Sequence, residues 1–224
     1  MKHKGWLYIF FSVFLLDLVV VANDWSTIRL FSKPLLVATL AIWFFLGSRT
    51  YSSLRYYILM ALFFSWLGDT LLLLEQKDAL YFILGLASFL LAHIMYILFF
   101  LRVRRAAPVK KSWNIFTAIF ISIYSSLLFL FLRPHLGDLK IPVGCYAIVI
   151  SLMLLCAIHA FNKPVSIAGY WCIAGAVLFV ISDSLLAAHK FYHPYAETAI
   201  LIMFTYGLAQ FAIAKGSLQY LASN

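Results

Sequence analysis

Eight long apolar stretches follow one another along this chain with only short polar breaks between them, at about 5–22, 33–47, 54–74, 80–101, 113–132, 142–160, 167–187 and 196–214. About 20 apolar residues in a helix cross a hydrocarbon layer of ~30 Å, so each stretch reads as one transmembrane helix. With 224 residues, 65% hydrophobic and 11% charged, the chain carries more apolar surface than one soluble core can hide. The expected fold is therefore all-α: a polytopic membrane protein of eight transmembrane helices in one bundle, a single integral membrane domain over 1–224. Lys2 and Lys4 precede the first stretch as in a signal peptide. Asp17 inside that stretch, and the lack of a small-residue cleavage site, favour a retained first helix.

The net charge of +9 would suggest nucleic acid in a soluble protein, but here the basic residues stand in short connections beside apolar runs. That pattern marks orientation and contact with membrane lipids, so no nucleic-acid role is expected. Lys2, Lys4, Arg49, Arg55, Arg102, Arg104, Arg105, Lys110, Lys111, Lys163 and Lys215 fall on one side of the membrane. Arg29, Lys33, Lys77, Arg133, Lys140 and Lys190 fall on the other. Eleven against six places both termini in the cytoplasm, with a bacterial cytoplasmic membrane as the expected location. The cluster from Arg102 to Lys111 is read as a topology anchor. The three cysteines, Cys145, Cys156 and Cys172, lie in apolar runs without metal-type spacing and are read as packing residues.

A faint internal repeat is also visible. Leu67-Gly-Asp-Thr-Leu-Leu72 resembles Ile181-Ser-Asp-Ser-Leu-Leu186, and Gly85-Leu-Ala-Ser-Phe89 resembles Gly207-Leu-Ala-Gln-Phe211. Copies four spans apart share an orientation, which suggests a parallel 4+4 arrangement and places Asp69 and Asp183 at similar depth.

Of the eight acids, only Asp17, Asp69 and Asp183 lie within apolar runs. An acid at a helix centre costs at least about 2.5–3.5 kcal/mol on insertion scales, so such groups face the bundle interior and mark function. At 1.5 Å per residue, Asp69 and Asp183 lie about 7 and 6 Å below the outer interface. Two carboxyl groups sharing a poorly solvated site do not both ionise easily, which supplies a proton donor and an anion for acid/base hydrolysis. The bland alternative is that each Asp bonds a neighbouring Ser, Thr or Lys and holds helices together, and for Asp17 it is the preferred one. Lys33 precedes Pro34 at the expected head of the second helix, where it either snorkels to the interface or pairs with an acid, with snorkelling favoured by position. His93 and Tyr96 share one helix face, as do Tyr206 and Gln210. No second histidine completes a ligand pair with His93, so no metal is expected. The same depth count puts His93 some 12 Å below the two aspartates and predicts no contact with them, but a long pocket.

These residues together resemble the YhhN / TMEM86 family of lysoplasmalogenases. The match is carried by Lys33-Pro34, Gly68-Asp69, Phe82-x-x-Gly85-x-x-Ser-Phe89-x-x-Ala-His93-x-x-Tyr96, Tyr146 to Met153, Ser182-Asp183 and Tyr206-x-x-Ala-Gln210. The resemblance implies an eight-helix hydrolase that cleaves the vinyl ether bond of a lysoplasmalogen. The products would be a fatty aldehyde and glycerophosphoethanolamine or glycerophosphocholine. It needs no metal or organic cofactor. Asp69 and Asp183 would be the acid/base pair, Lys33 would meet the phosphate, and His93, Tyr96, Tyr206 and Gln210 would line or support the pocket. Paired membrane acids with a repeat also describe a small proton-coupled transporter, and acids that only join helices describe a non-catalytic lipid-binding protein.

Overall fold

A computed structural model describes residues 2–106, 113–161, 165–194 and 196–223. Among them the chain forms eight α-helices and no strand: α1 (Lys2–Ala22), α2 (Ser26–Gly47), α3 (Arg55–Leu72), α4 (Ala79–Ala106), α5 (Ile115–Leu132), α6 (Lys140–Ala160), α7 (Ile167–Phe191) and α8 (Ala196–Ala222). Two short 3-10 turns, Arg133–His135 and Gly137–Leu139, join α5 to α6. Two helix starts are set locally by side chains that replace the missing turn. Asn114 accepts from the amides of Phe116 and Thr117, and Ser166 from that of Gly169.

Seven of these helices are long and apolar enough to cross a membrane. The eighth, α3, falls short of that measure, because its 18 residues include Arg55 at the head and Asp69 three residues from the end. Several helices outrun the boundaries expected from hydropathy. α2 begins at Ser26 rather than 33, so Lys33 and Pro34 lie well inside it rather than in its first turn. α4 continues to Ala106, α7 to Phe191 and α8 to Ala222. A charge ends an apolar run on paper, but it need not end a helix when the side chain finds a partner. Lys190 pairs with Glu75 at 3.0 Å, and the ammonium of Lys215 lies 3.9 Å from the centroid of the Trp171 ring. Of the basic residues used for orientation, Lys110, Lys111 and Lys163 lie outside the described residues.

The most extensive helix pairings are α7 with α8 and α3 with α4. In both, glycine brings backbones together where lipid offers no apolar drive for association. A Cβ at Gly175 would lie 2.8 Å from the Ala209 carbonyl oxygen, and one at Gly68 would lie 2.7 Å from the Phe89 ring. One buried apolar cluster draws on every helix except α5, whose Phe116, Phe120 and Leu127 remain exposed as a lipid-facing helix requires. Cys156 and Cys172 are buried, whereas Cys145 is exposed on α6 and does not pack in the core.

Candidate functional site

The close α3–α4 and α7–α8 pairings hold two acidic helix segments on either side of a cavity of about 560 Å³. The cavity opens at the end of the bundle where α1 meets α2 and α3 meets α4. Asp24, Arg29, Glu75, Gln76, His189 and Lys190 line its polar mouth. Lys33, Asp69, Phe89, Ser182, Asp183 and Tyr206 line its interior. The two aspartates far apart in sequence therefore share one wall-lined space, although no hydrogen bond joins them among the described residues.

Their partners differ. The Lys33 ammonium stands 3.3 Å from Oδ1 of Asp69, and the Tyr206 hydroxyl donates to Oδ2 at 2.6 Å. Lys33 does not snorkel: it is buried, because the longer α2 carries it two turns into the bundle beside an acid. Asp183 has no lysine or arginine within ion-pair distance among the described residues. The Tyr146 hydroxyl donates to its Oδ2 at 2.5 Å, and Nε2 of His93 lies 3.7 Å from the same oxygen. Asp183 keeps 13% of its side-chain surface accessible against 2% for Asp69, so the first is the more open to an occupant of the cavity.

The approach of His93 to Asp183 overturns the expected separation in depth. α7 runs to Phe191, which sets Asp183 about 12 Å from the helix end rather than 6. His93 also leans toward the start of α4, as helical side chains do, and its Nδ1 donates to the Phe89 carbonyl at 2.6 Å. With Nδ1 donating, Nε2 of the neutral ring is an acceptor turned to the carboxyl group, and it has no hydrogen-bond partner among the described residues. The ring is wedged edge-on against Tyr146 and Phe179, with centroids at 5.4 and 4.7 Å.

Behind Asp69 runs a buried chain of hydrogen bonds with one direction. The Tyr96 hydroxyl donates to Gln210 Oε1 at 2.6 Å, Gln210 Nε2 donates to the Tyr206 hydroxyl at 3.2 Å, and Tyr206 donates to Asp69. Each donor satisfies the next acceptor, so the Tyr206 proton is committed to the carboxylate. Tyr96 and Gln210 do not line the cavity; they sit behind Tyr206 and orient it. Asp17 is buried on α1, accepts from the Ser32 hydroxyl at 2.5 Å, and stands outside the cavity lining.

Two smaller apolar pockets branch at Asp183. One, of about 60 Å³, lies among Leu128, Val143, Tyr146 and Ile150; the other, of about 50 Å³, among Leu86, Phe89, Tyr146 and Phe191. Neither hydropathy nor motif spacing marks Tyr146, Arg29 or His189 as a site residue. Only Tyr146 leaves a signal in the sequence, as the head of a segment with family resemblance. Among the described residues no three His, Cys, Asp or Glu side chains gather as a metal site would require.

Comparison with known proteins adds a family to this geometry. The family model described as the YhhN family matches residues 28–217, which include every residue named on Asp69 and Asp183. A lysoplasmalogenase of Mycobacterium bovis is 30% identical over 164 residues, covering 72% of this chain and 60% of the relative. Lysoplasmalogenase TMEM86A of Bos taurus is 30% identical over 167 residues, covering 72% and 65%. Lysoplasmalogenase TMEM86B of Rattus norvegicus is 26% identical over 196 residues, covering 88% and 75%. The chain thus spans less than two thirds of the mycobacterial and bovine relatives. No solved structure matches.

Proposed function

The chain belongs to the YhhN family, and on that premise we propose that it is a lysoplasmalogenase in which Asp183 is the proton donor and Asp69 the anion. The observation that carries this reading is the unequal company of two carboxyl groups on one cavity. A lysine ammonium and a phenol proton favour the carboxylate form of Asp69. Asp183 has no comparable cation, is more open to the cavity, and adjoins apolar pockets suited to a hydrocarbon chain.

The chemistry follows from the substrate. A vinyl ether is cleaved after protonation of its β-carbon, which leaves an oxocarbenium ion. Asp183 delivers that proton, and the Asp69 carboxylate stabilises the cation and takes a proton from the attacking water. The new C–O bond makes a hemiacetal. As it collapses, its hydroxyl proton returns to Asp183 and Asp69 protonates the departing glycerol oxygen, so both groups regain their starting states. One water is consumed. The products are a fatty aldehyde and glycerophosphoethanolamine or glycerophosphocholine. Tyr146 and His93 hold the Asp183 carboxyl group, while Tyr96 and Gln210 act on Asp69 only through Tyr206. In this reading the alkenyl chain lies among the helices beside Asp183, with the headgroup at the polar mouth.

The same reading takes α3 as an eighth span. Its 18 residues reach about 27 Å, and it packs between α2, α4 and α8. An even number of spans puts both termini on one side, and the distribution of basic residues makes that side cytoplasmic. A parallel repeat draws support from the fact that the 3–4 and 7–8 hairpins, which carry the similar segments, are also the two most extensive pairings.

The test is direct. Purified protein in detergent should release aldehyde from a lysoplasmalogen, and Asp183→Asn should slow release about a thousandfold while the protein keeps its thermal transition. Full activity in both Asp183→Asn and Asp69→Asn would sink the acid/base assignment. Uptake of the lipid into proteoliposomes without hydrolysis would replace the enzyme with a carrier.

A further inference from the structure

Lys33 pairs with Asp69 deep in the cavity, and other cations stand nearer its mouth. Three basic side chains line its mouth: Arg29 from α2, and His189 and Lys190 from α7. Lys190 is engaged by Glu75 at 3.0 Å and lies over the Phe82 ring. The other two are not engaged. Nε of Arg29 and Nδ1 of His189 are both buried, and neither has a hydrogen-bond partner among the described residues. Buried polar atoms are seldom left unpaired, because they forfeit water without gaining a protein partner. Those two atoms are closed to the cavity itself, but the guanidinium tip of Arg29 and Nε2 of His189 are not; on different helices and without a protein partner among the described residues, they face a ligand that brings its own acceptors. The Asp17 carboxylate is the acid in electrostatic reach of Arg29, but it is bonded to Ser32 and makes no hydrogen bond to the guanidinium.

The positions suit the chemistry of the site. Arg29 stands four residues before Lys33, on the same face of α2 and about 6 Å nearer the mouth. His189 stands six residues after Asp183, about 9 Å nearer the mouth along α7. The glycerol unit of a lysolipid carries its phosphate away from the ether bond, so with that bond at Asp183 the phosphate lies toward the mouth. A guanidinium and an imidazole make charge-assisted bonds to phosphate oxygens, which supply several acceptors at once.

We propose that Arg29 and His189 form a phosphate subsite that takes the phosphodiester of a single-chain lysophospholipid headgroup, an inference that rests on the lysoplasmalogenase reading for its occupant. The subsite makes the phosphate a requirement for tight binding and leaves the aspartates to act on the ether bond.

The test uses the full chain in detergent and two probes that cannot be cleaved: an alkyl ether lysophosphoethanolamine and the matching 1-alkylglycerol without phosphate. The wild type should bind the phosphate-bearing probe at least about tenfold more tightly. Arg29→Gln and His189→Ala should each remove most of that preference while binding of the alkylglycerol stays as in the wild type. Arg29→Lys, which keeps the charge, should retain part of it and guards against loss through misfolding. With lysoplasmalogen the same variants should raise KM and leave kcat nearly unchanged. A wild type that does not distinguish the probes, or variants that bind both as the wild type does, overturns the subsite. Inorganic phosphate is a separate arm. If it displaces the phosphate-bearing probe weakly and in competition, the lipid headgroup is the occupant; if it binds alone and the lipid does not displace it, the headgroup assignment fails. Because these are binding measurements, the preference can hold even if no aldehyde is released, and that result would remove the hydrolase reading while leaving the phosphate subsite.

Discussion

Asp69 and Asp183 occupy the same cavity in unlike surroundings, although the segments around them look alike. Asp69 stands near the end of a short helix, almost fully buried in the cavity wall and held by an ammonium and a phenol. Asp183 stands two turns inside a longer helix, held by one phenol beside a neutral-face imidazole nitrogen, and more open to the cavity. The difference teaches that similar motifs need not share a chemical role. Role follows from which helices supply the neighbours: α2 and α8 bring a cation and a directed proton to the first, while α4 and α6 bring a histidine and a tyrosine to the second.

The comparison is most sharply tested at Asp183. In the proposed reaction Asp183 is the proton donor, and its removal should cost about 10³-fold in the rate of aldehyde release, within the range for general acid catalysis. Asn at this position still accepts from Tyr146, so Asp183→Asn should unfold close to the wild-type temperature. Asp69→Asn should behave differently, because it strands the buried Lys33 ammonium. It should lose activity and also about 3–5 kcal/mol of stability, seen as a lower transition temperature in detergent. The double variant Lys33→Met with Asp69→Leu should regain much of that stability and remain inactive. Equal melting of the two single Asn variants would erase the distinction drawn between the sites.

Smaller effects map the support of each acid. Tyr206→Phe removes a hydrogen bond to a charged group, worth about 1.5–3 kcal/mol, and should slow turnover about ten- to a hundredfold in steady-state assays. Tyr96→Phe acts two bonds further away. It should cost about 1 kcal/mol of stability and change turnover only a few-fold, since Gln210 can still donate to Tyr206. If Tyr96→Phe proved as damaging as Tyr206→Phe, the chain would be part of the reaction rather than a brace behind it.

Much of the architecture could be read from the chain itself. Seven apolar runs correspond to helices able to cross a membrane, and the two acids most costly to bury both line the main cavity. The readings that failed share a cause. Hydropathy starts α2 at Lys33 and ends α7 at Ala187, because it stops at charged or polar residues; the helices run on because Lys33 finds Asp69 and Lys190 finds Glu75. Those shorter boundaries place Lys33 at the interface and account for about 6 Å of the expected gap between His93 and Asp183, the lean of His93 along α4 closing more of it. Arg29 and His189 fall in the connections between the expected spans, outside 33–47 and 167–187, where nothing marks them as cavity residues.

By itself the sequence determined that this chain is a helical membrane protein of the YhhN pattern with rare buried acids, because transfer into lipid is a sum over local residues and can be added along the chain. Only the tertiary structure decided what each acid meets. Tyr206 reaches Asp69 across 137 residues and Tyr96 reaches Gln210 across 114, by the rotation and close approach of packed helices. Those contacts are set by the mutual fit of many side chains, for which hydropathy along the chain carries no signal.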